Sequence, residues 1–174
     1  MLAATAVTWV VAVLLQRQFL FAFDHAPGIN LLFLPSGVRL IAIMIGGLWA
    51  TAGVCLGTLL LAGSDFHVLS TTQLLVVALC SGLCPYIALR TSLKVMGIDA
   101  GLSGLAPRHL PFISLGVAIG SSILHNLAFS ASGLEPWSAY FEHVLAMTAG
   151  DFFGILLAIV IFFACLRLYR GPAS

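Results

Sequence analysis

The stretch INLLFLPSGVRLIAIMIGG, residues 29–47, places a proline, a glycine and an arginine inside an otherwise apolar run. An apolar run of this length is typical of a helix in lipid. A charged side chain near the bilayer centre costs about 2.5–3.5 kcal/mol on insertion scales, and such residues usually face partners inside a helix bundle. Arg39 therefore indicates that the fold has a polar interior.

The composition of the whole chain identifies lipid as its solvent. Of the 174 residues, 61% are hydrophobic and only 7% are charged, whereas a soluble domain carries about 25% charged residues. The sequence therefore predicts an all-α, polytopic transmembrane helix bundle that forms a single domain over residues 1–174. A net charge of +1 argues against a nucleic-acid partner, which leaves the lipid bilayer as the first partner.

Six apolar segments are candidate membrane spans, since a spanning helix needs about 20 residues. They cover residues 3–23, 30–47, 49–63, 70–91, 109–131 and 138–167. Only the sequence GGLW separates the second segment from the third, so we expect these two to form a tight antiparallel pair. The sequence leaves open whether residues 30–63 make two full spans or two half-spans.

Basic residues predict the orientation, because they concentrate in cytoplasmic loops. Arg90, Lys94 and Arg108 flank the loop between the fourth and fifth segments, and Arg167 and Arg170 follow the sixth. With six spans, both groups lie on the same side as the N terminus. We therefore expect both termini in the cytoplasm.

Glycines four residues apart recur in three of the apolar segments. This spacing lets another backbone approach closely. The pairs are Gly53 with Gly57, Gly116 with Gly120, and Gly150 with Gly154.

Polar residues inside the spans are the candidate site. Under the expected orientation, six polar residues fall in the outer half of the membrane or near its midplane: Arg17, Arg39, His125, Asn126, His143 and Asp151. This distribution predicts an outward-facing pocket for a small solute. Arg39 and Asp151 have opposite charge and similar expected depth, so we also expect an ion pair, which either fixes helix packing or contributes to the site.

A helix that begins inside the membrane is predicted at Pro35, because proline disfavours helix just before it. Ser36 is a candidate cap for this helix, and the free amides and dipole of such a helix start attract anions. These amides, together with the charge of Arg39, predict a site for a carboxylate. Helices interrupted in this way form binding sites in transporters.

Two histidines give an alternative site. His125 and His143 come from consecutive antiparallel segments, and together with Glu142 they could hold a haem iron or a transition metal. No cytochrome-like motif supports this alternative, and we expect no cofactor. The sequence has no signature of catalytic residues, so we expect no enzyme.

Two stretches resemble the signature of MASE1, a bacterial integral membrane sensory domain: LFLPSGVRLIAIMIGGLWATAGVCLGTLL (32–60) and MTAGDFFGILLAIVIFF (147–163). The matching positions are Pro35, Gly37, Gly150, Asp151 and Gly154. The resemblance implies a sensor in the bacterial inner (cytoplasmic) membrane that detects a small solute or a membrane state. Such domains signal to cytoplasmic output modules, whereas here LRLYRGPAS follows the sixth segment. We therefore expect either signalling through a partner protein or a shortened relative with another function.

The same glycine-rich stretch also resembles the substrate-binding subunit of energy-coupling-factor vitamin transporters. That resemblance implies binding of a small solute in an outward pocket and docking on a transporter partner complex. The sequence leaves the sensor, the transporter subunit and a small haem or metal protein open.

Overall fold

The structure of the protein is a computed structural model that describes residues 1–19, 24–26, 29–30, 32–65, 69–99 and 101–170. Within these ranges, five helices are long and apolar enough to cross a membrane. They are α1 (Leu2–Phe19), α2 (Pro35–Asp65), α3 (Thr71–Val95), α4 (Leu110–Ala131) and α5 (Tyr140–Arg170). A short antiparallel pair, β1 (Asp24–Ala26) and β2 (Ile29–Asn30), lies between α1 and α2. The predicted helical, multi-pass membrane bundle is confirmed at this level.

The bundle exposes many large apolar side chains on its outside and buries small and polar residues, together with an apolar core, inside. Phe141 and Leu145 are 78% and 71% exposed, while Ser114, Ala118 and Ser121 have no exposed surface. This arrangement is the one expected of a protein surrounded by lipid, because lipid covers the apolar exterior and polar groups must find partners inside.

Helix α2 is broken at Gly47, whose φ of 52° and ψ of −131° are not helical. Its first arm, residues 35–46, runs along α1 in the opposite direction. Gly46 lies against the side chain of Met1, the Arg39 guanidinium lies over the Trp9 ring, and Leu34 just before the arm bonds to Gln16, towards the end of α1.

The second arm, residues 48–65, runs along α1 in the same direction. Gly53 faces the backbone of Leu2, and Thr58 accepts a hydrogen bond from Trp9 Nε1. The two arms are therefore antiparallel to each other, which confirms the predicted reversal at GGLW. The positive φ at the turn is one that glycine adopts without steric cost.

The remaining helices pack as antiparallel neighbours. In α3 and α4, Ala88 lies against Gly120 and Ser92 against Gly116. In α4 and α5, Asn126 contacts Met147. We call the end at which α3 begins and α4 ends the upper end of the bundle, and the other the lower end. The apolar core of the lower half joins the first arm of α2 to α3, α4 and α5 through residues that include Leu40, Ile43, Leu89, Leu93, Ile113, Val117 and Ile155.

The predicted close approach of another backbone is confirmed for the pair Gly53 and Gly57, and for Gly154. Gly53 and Gly57 face the backbone of α1, and Gly116 and Gly120 face α3. Gly154 lies directly against the carbonyl oxygen of Phe33.

The first arm of α2 begins well below the upper end of the bundle. The second predicted segment begins at residue 30, but its helix begins at Pro35, because residues 32–34 are not helical. Phe33 bonds to Gly150, ten residues after α5 begins at Tyr140, which corresponds to about 15 Å of helix. Residues 20–23, the end of the first predicted segment, lie outside the described residues.

Candidate functional site

The predicted ion pair between Arg39 and Asp151 is present. Arg39 Nη2 donates to Asp151 Oδ2 at 3.1 Å, and the two side chains are 4% and 2% exposed. The pair joins the first arm of α2 to α5, and it lies at the level of Ser81, ten residues after α3 begins at Thr71. Ten helical residues span about 15 Å, so the charges lie deep inside the bundle.

Two elements besides α5 contact the guanidinium, and the second arm of α2 holds one of them in place. Nη1 donates to the carbonyl oxygen of Ser81 on α3 at 3.2 Å, and Cζ lies 5.6 Å from the centroid of the Trp9 ring on α1. Trp9 is itself fixed by a 2.9 Å hydrogen bond from Nε1 to Thr58 Oγ1 on the second arm. Arg39 Nε is buried and has no hydrogen-bond partner among the described residues.

Most backbone groups of the non-helical segment 32–34 have hydrogen-bond partners inside the bundle. Gln16 Nε2 donates to the Leu32 carbonyl oxygen at 2.8 Å, and Gln16 Oε1 accepts from Leu34 N at 3.2 Å. Phe33 N donates to the Gly150 carbonyl oxygen at 3.1 Å. Irregular backbone is tolerated at membrane depth only where protein or a water-filled cavity satisfies it, and Gln16 and α5 meet that requirement here.

The free amides predicted at this helix start are not found at Ser36 and Gly37, while anion binding in this region stays a prediction. The amides of Ser36 and Gly37 already donate to the carbonyl oxygens of Phe33 and Leu34, and Pro35 has no amide hydrogen. Ser36 is not the cap either, since the helix begins one residue earlier. Its hydroxyl lies 2.6 Å from the Phe33 carbonyl oxygen and 3.1 Å from that of Asp151, so it holds the helix start against α5.

Helix α4 turns a polar face towards the bundle interior. Its buried polar residues are Ser114, Ser121, Ser122, His125, Asn126 and Ser130. Asn126 Nδ2 donates to the Ser122 carbonyl oxygen at 2.9 Å. The hydroxyls of Ser121, Ser122 and Ser130, together with His125 Nδ1, have no hydrogen-bond partner in the described part of the chain. The His125 ring packs edge-on against Phe129, with the two ring centroids 4.3 Å apart.

Arg17 does not join this cluster. Its side chain is exposed on α1, whereas the neighbouring Gln16 is 4% exposed and turned inward. A helix turns by about 100° per residue, so adjacent residues cannot share a face.

The structure does not assemble the alternative metal set of His125, His143 and Glu142. His143 Nδ1 lies 2.8 Å from Glu135 Oε2, and the Glu142 side chain is exposed. Over the ranges that the structure describes, no group of three His, Cys, Asp or Glu side chains is placed to hold a metal ion.

Sequence reasoning missed three residues of the cluster: Gln16, Trp9 and Ser81. Gln16 could have been predicted, since an uncharged amide in an apolar span needs a hydrogen-bond partner. The adjacent Arg17 is the stronger candidate on the sequence alone, because burying a charge costs more free energy. Trp9 looks like an ordinary lipid-facing aromatic. Ser81 contributes only its backbone oxygen, which no side-chain pattern predicts.

No protein-family model, curated protein or solved structure matches this chain.

Proposed function

We propose that this chain is a membrane-embedded module that binds a small solute between Arg39 and the polar face of α4, and that it signals through a cytoplasmic partner. The observation that carries the proposal is the set of buried polar atoms without partners: Arg39 Nε, His125 Nδ1 and the hydroxyls of Ser121, Ser122 and Ser130. A buried polar group without a hydrogen bond costs about 1–3 kcal/mol in proteins. A polar solute in this region would satisfy several such groups at once.

The chemistry of the solute follows from Arg39. The guanidinium has five N–H groups in one plane, of which hydrogen bonds to Ser81 and Asp151 occupy two. The free edge at Nε suits a planar acceptor such as a carboxylate, which a guanidinium binds in a fork. Serine hydroxyls and His125 on α4 would bind the other polar groups of the solute.

The resemblance to MASE1 supports the sensory part of the proposal, and it supports a location in the bacterial inner membrane. The basic residues near the lower end support an orientation in which that end faces the cytoplasm and the polar cluster opens outward. The reversal at Gly47 supports six crossings rather than five.

A transporter substrate-binding subunit is the second candidate. It is favoured by residues 32–34, where the chain is irregular at the depth of Asp151 and a helix begins inside the bundle. Substrate sites of membrane transporters are formed by such discontinuous helices. Copurification with an ATPase complex would support this candidate, whereas copurification with a kinase or another signalling enzyme would support the sensor.

Ligand binding to the purified full chain tests the proposal. Mass spectrometry of small molecules that copurify gives the first candidates, and thermal shift with a panel of small carboxylates ranks them. Arg39→Lys keeps the charge but loses the planar fork, so it should fold and lose most of the solute affinity. Arg17→Lys, the same change at an exposed position, should bind like the wild type.

Two outcomes would contradict the proposal. Either no solute stabilises the wild type, or Arg39→Lys binds as tightly as the wild type. In both cases the cluster would serve only to hold the helices together.

A further inference from the structure

A cleft opens at the lower end of α3, far from the Arg39 cluster. Helix α3 ends in a turn at Gly97, which has a φ of 67°, and Ile98 N bonds back to the Leu93 carbonyl oxygen at 2.9 Å. This turn folds residues 98 and 99 against the helix end. The resulting cleft has a volume of about 390 Å³ and is lined by Arg90, Thr91, Leu93, Lys94, Ile98 and Asp99.

The cleft combines an apolar floor with a charged rim. Leu93 and Ile98 are buried in the core, while Arg90, Lys94 and Asp99 are exposed. The two cations and one carboxylate give the rim a net charge of +1 (two minus one). Oδ2 of Asp99 already accepts a hydrogen bond from Gly101 N at 3.2 Å, so part of the negative charge is engaged by the protein.

A lipid-facing stripe leads directly to the cations. Leu83 and Ile87 are 39% and 49% exposed on α3, and they lie seven residues before Arg90 and Lys94, respectively. Positions spaced by four, seven and eleven residues share one helix face. Leu83 is eleven residues from Lys94, or about 16 Å, which matches the thickness of one hydrocarbon leaflet, about 15 Å.

We propose that this cleft binds the phosphate group of an anionic phospholipid whose acyl chain lies along Leu83 and Ile87. Arg90 and Lys94 pair with the phosphate, and the Thr91 hydroxyl is placed to bond a headgroup oxygen. The continuity between the apolar stripe and the cations favours a lipid over free phosphate, because free phosphate makes no use of the stripe. Basic pockets of this kind at the membrane surface are suited to anionic headgroups. This inference is independent of the solute site at Arg39.

The test is native mass spectrometry of the full chain in a non-ionic detergent. The probes are phosphatidylglycerol, phosphatidylcholine with the same acyl chains, and inorganic phosphate. The wild type should bind phosphatidylglycerol about tenfold more tightly than phosphatidylcholine. A double variant, Arg90→Gln with Lys94→Gln, should lose this preference, since each basic residue near an anionic surface adds about a further fivefold in affinity. Arg90→Lys keeps the charge and should retain the preference.

Arg167→Gln is the matched control, because Arg167 is an exposed cation on α5 outside the cleft. It should bind phosphatidylglycerol like the wild type. The proposal is overturned if the wild type binds both lipids equally, if inorganic phosphate displaces the lipid at equal concentration, or if Arg167→Gln weakens binding as much as the double variant. Near-wild-type binding by the double variant would overturn it as well.

Discussion

Arg39 Nη2 and Asp151 Oδ2 lie 3.1 Å apart although the two residues are 112 positions apart in the chain. The contact connects the first arm of α2 to α5 in the interior of the bundle, where both side chains are buried. A buried ion pair is not in itself evidence of stability, because desolvation opposes the attraction between the charges. Its energetic signature is instead the cost of removing a single partner.

The ion pair predicts strong coupling between the two positions. Arg39→Leu and Asp151→Leu should each destabilise the protein by about 3–5 kcal/mol, since each leaves an unpaired buried charge. The double variant should be less destabilised than the sum of the two. Unfolding in mixed micelles measures all four free energies. Additive single effects would show that the two side chains are not energetic partners.

Gln16 gives a second prediction, because one side chain satisfies two backbone groups of the non-helical segment at Leu32 and Leu34. Gln16→Leu leaves both groups buried without partners, and each such group costs about 1–3 kcal/mol. The free energy of unfolding should therefore fall by more than for Gln18→Leu, the same change at an exposed position of α1. If the two substitutions lowered the free energy of unfolding equally, Gln16 would not stabilise the non-helical segment.

The sequence predicts the membrane bundle and the ion pair. It does not predict how the non-helical segment 32–34 enters the bundle. Hydropathy locates apolar helices because lipid imposes that composition, and opposite charges in one apolar interior must find each other. The satisfied amides at Ser36 and Gly37 could not be predicted, because their partners Phe33 and Leu34 are apolar residues that accept through the backbone. A pattern of side chains does not show which backbone groups will form hydrogen bonds with each other.

The glycine at position 154 should be needed for packing rather than for flexibility. A Cβ there would collide with the carbonyl oxygen of Phe33, which is backbone and cannot rotate away. Gly154→Ala should lower the unfolding free energy by about 1–3 kcal/mol, the usual range for overpacking. Gly116→Ala is the control, because its added Cβ would meet the Ser92 hydroxyl, which can change rotamer. A smaller effect at Gly154 than at Gly116 would contradict the packing argument.

Topology reporters distinguish six crossings from five. If the chain reverses at Gly47 and both arms of α2 cross the membrane, with the N terminus inside, a fusion after residue 66 reads external and a fusion after residue 100 reads internal. If α2 crosses only once and the N terminus is again inside, the fusion after residue 66 reads internal and the fusion after residue 100 reads external.

The structure indicates which result to expect. The contacts of Gly46 with Met1 and of Gly53 with Leu2 place the turn of α2 beside the N terminus, and Arg90 and Lys94 lie towards the end of α3. Because basic residues favour the cytoplasm, we expect external after 66 and internal after 100. The opposite readout at either position would rule out six crossings with an internal N terminus.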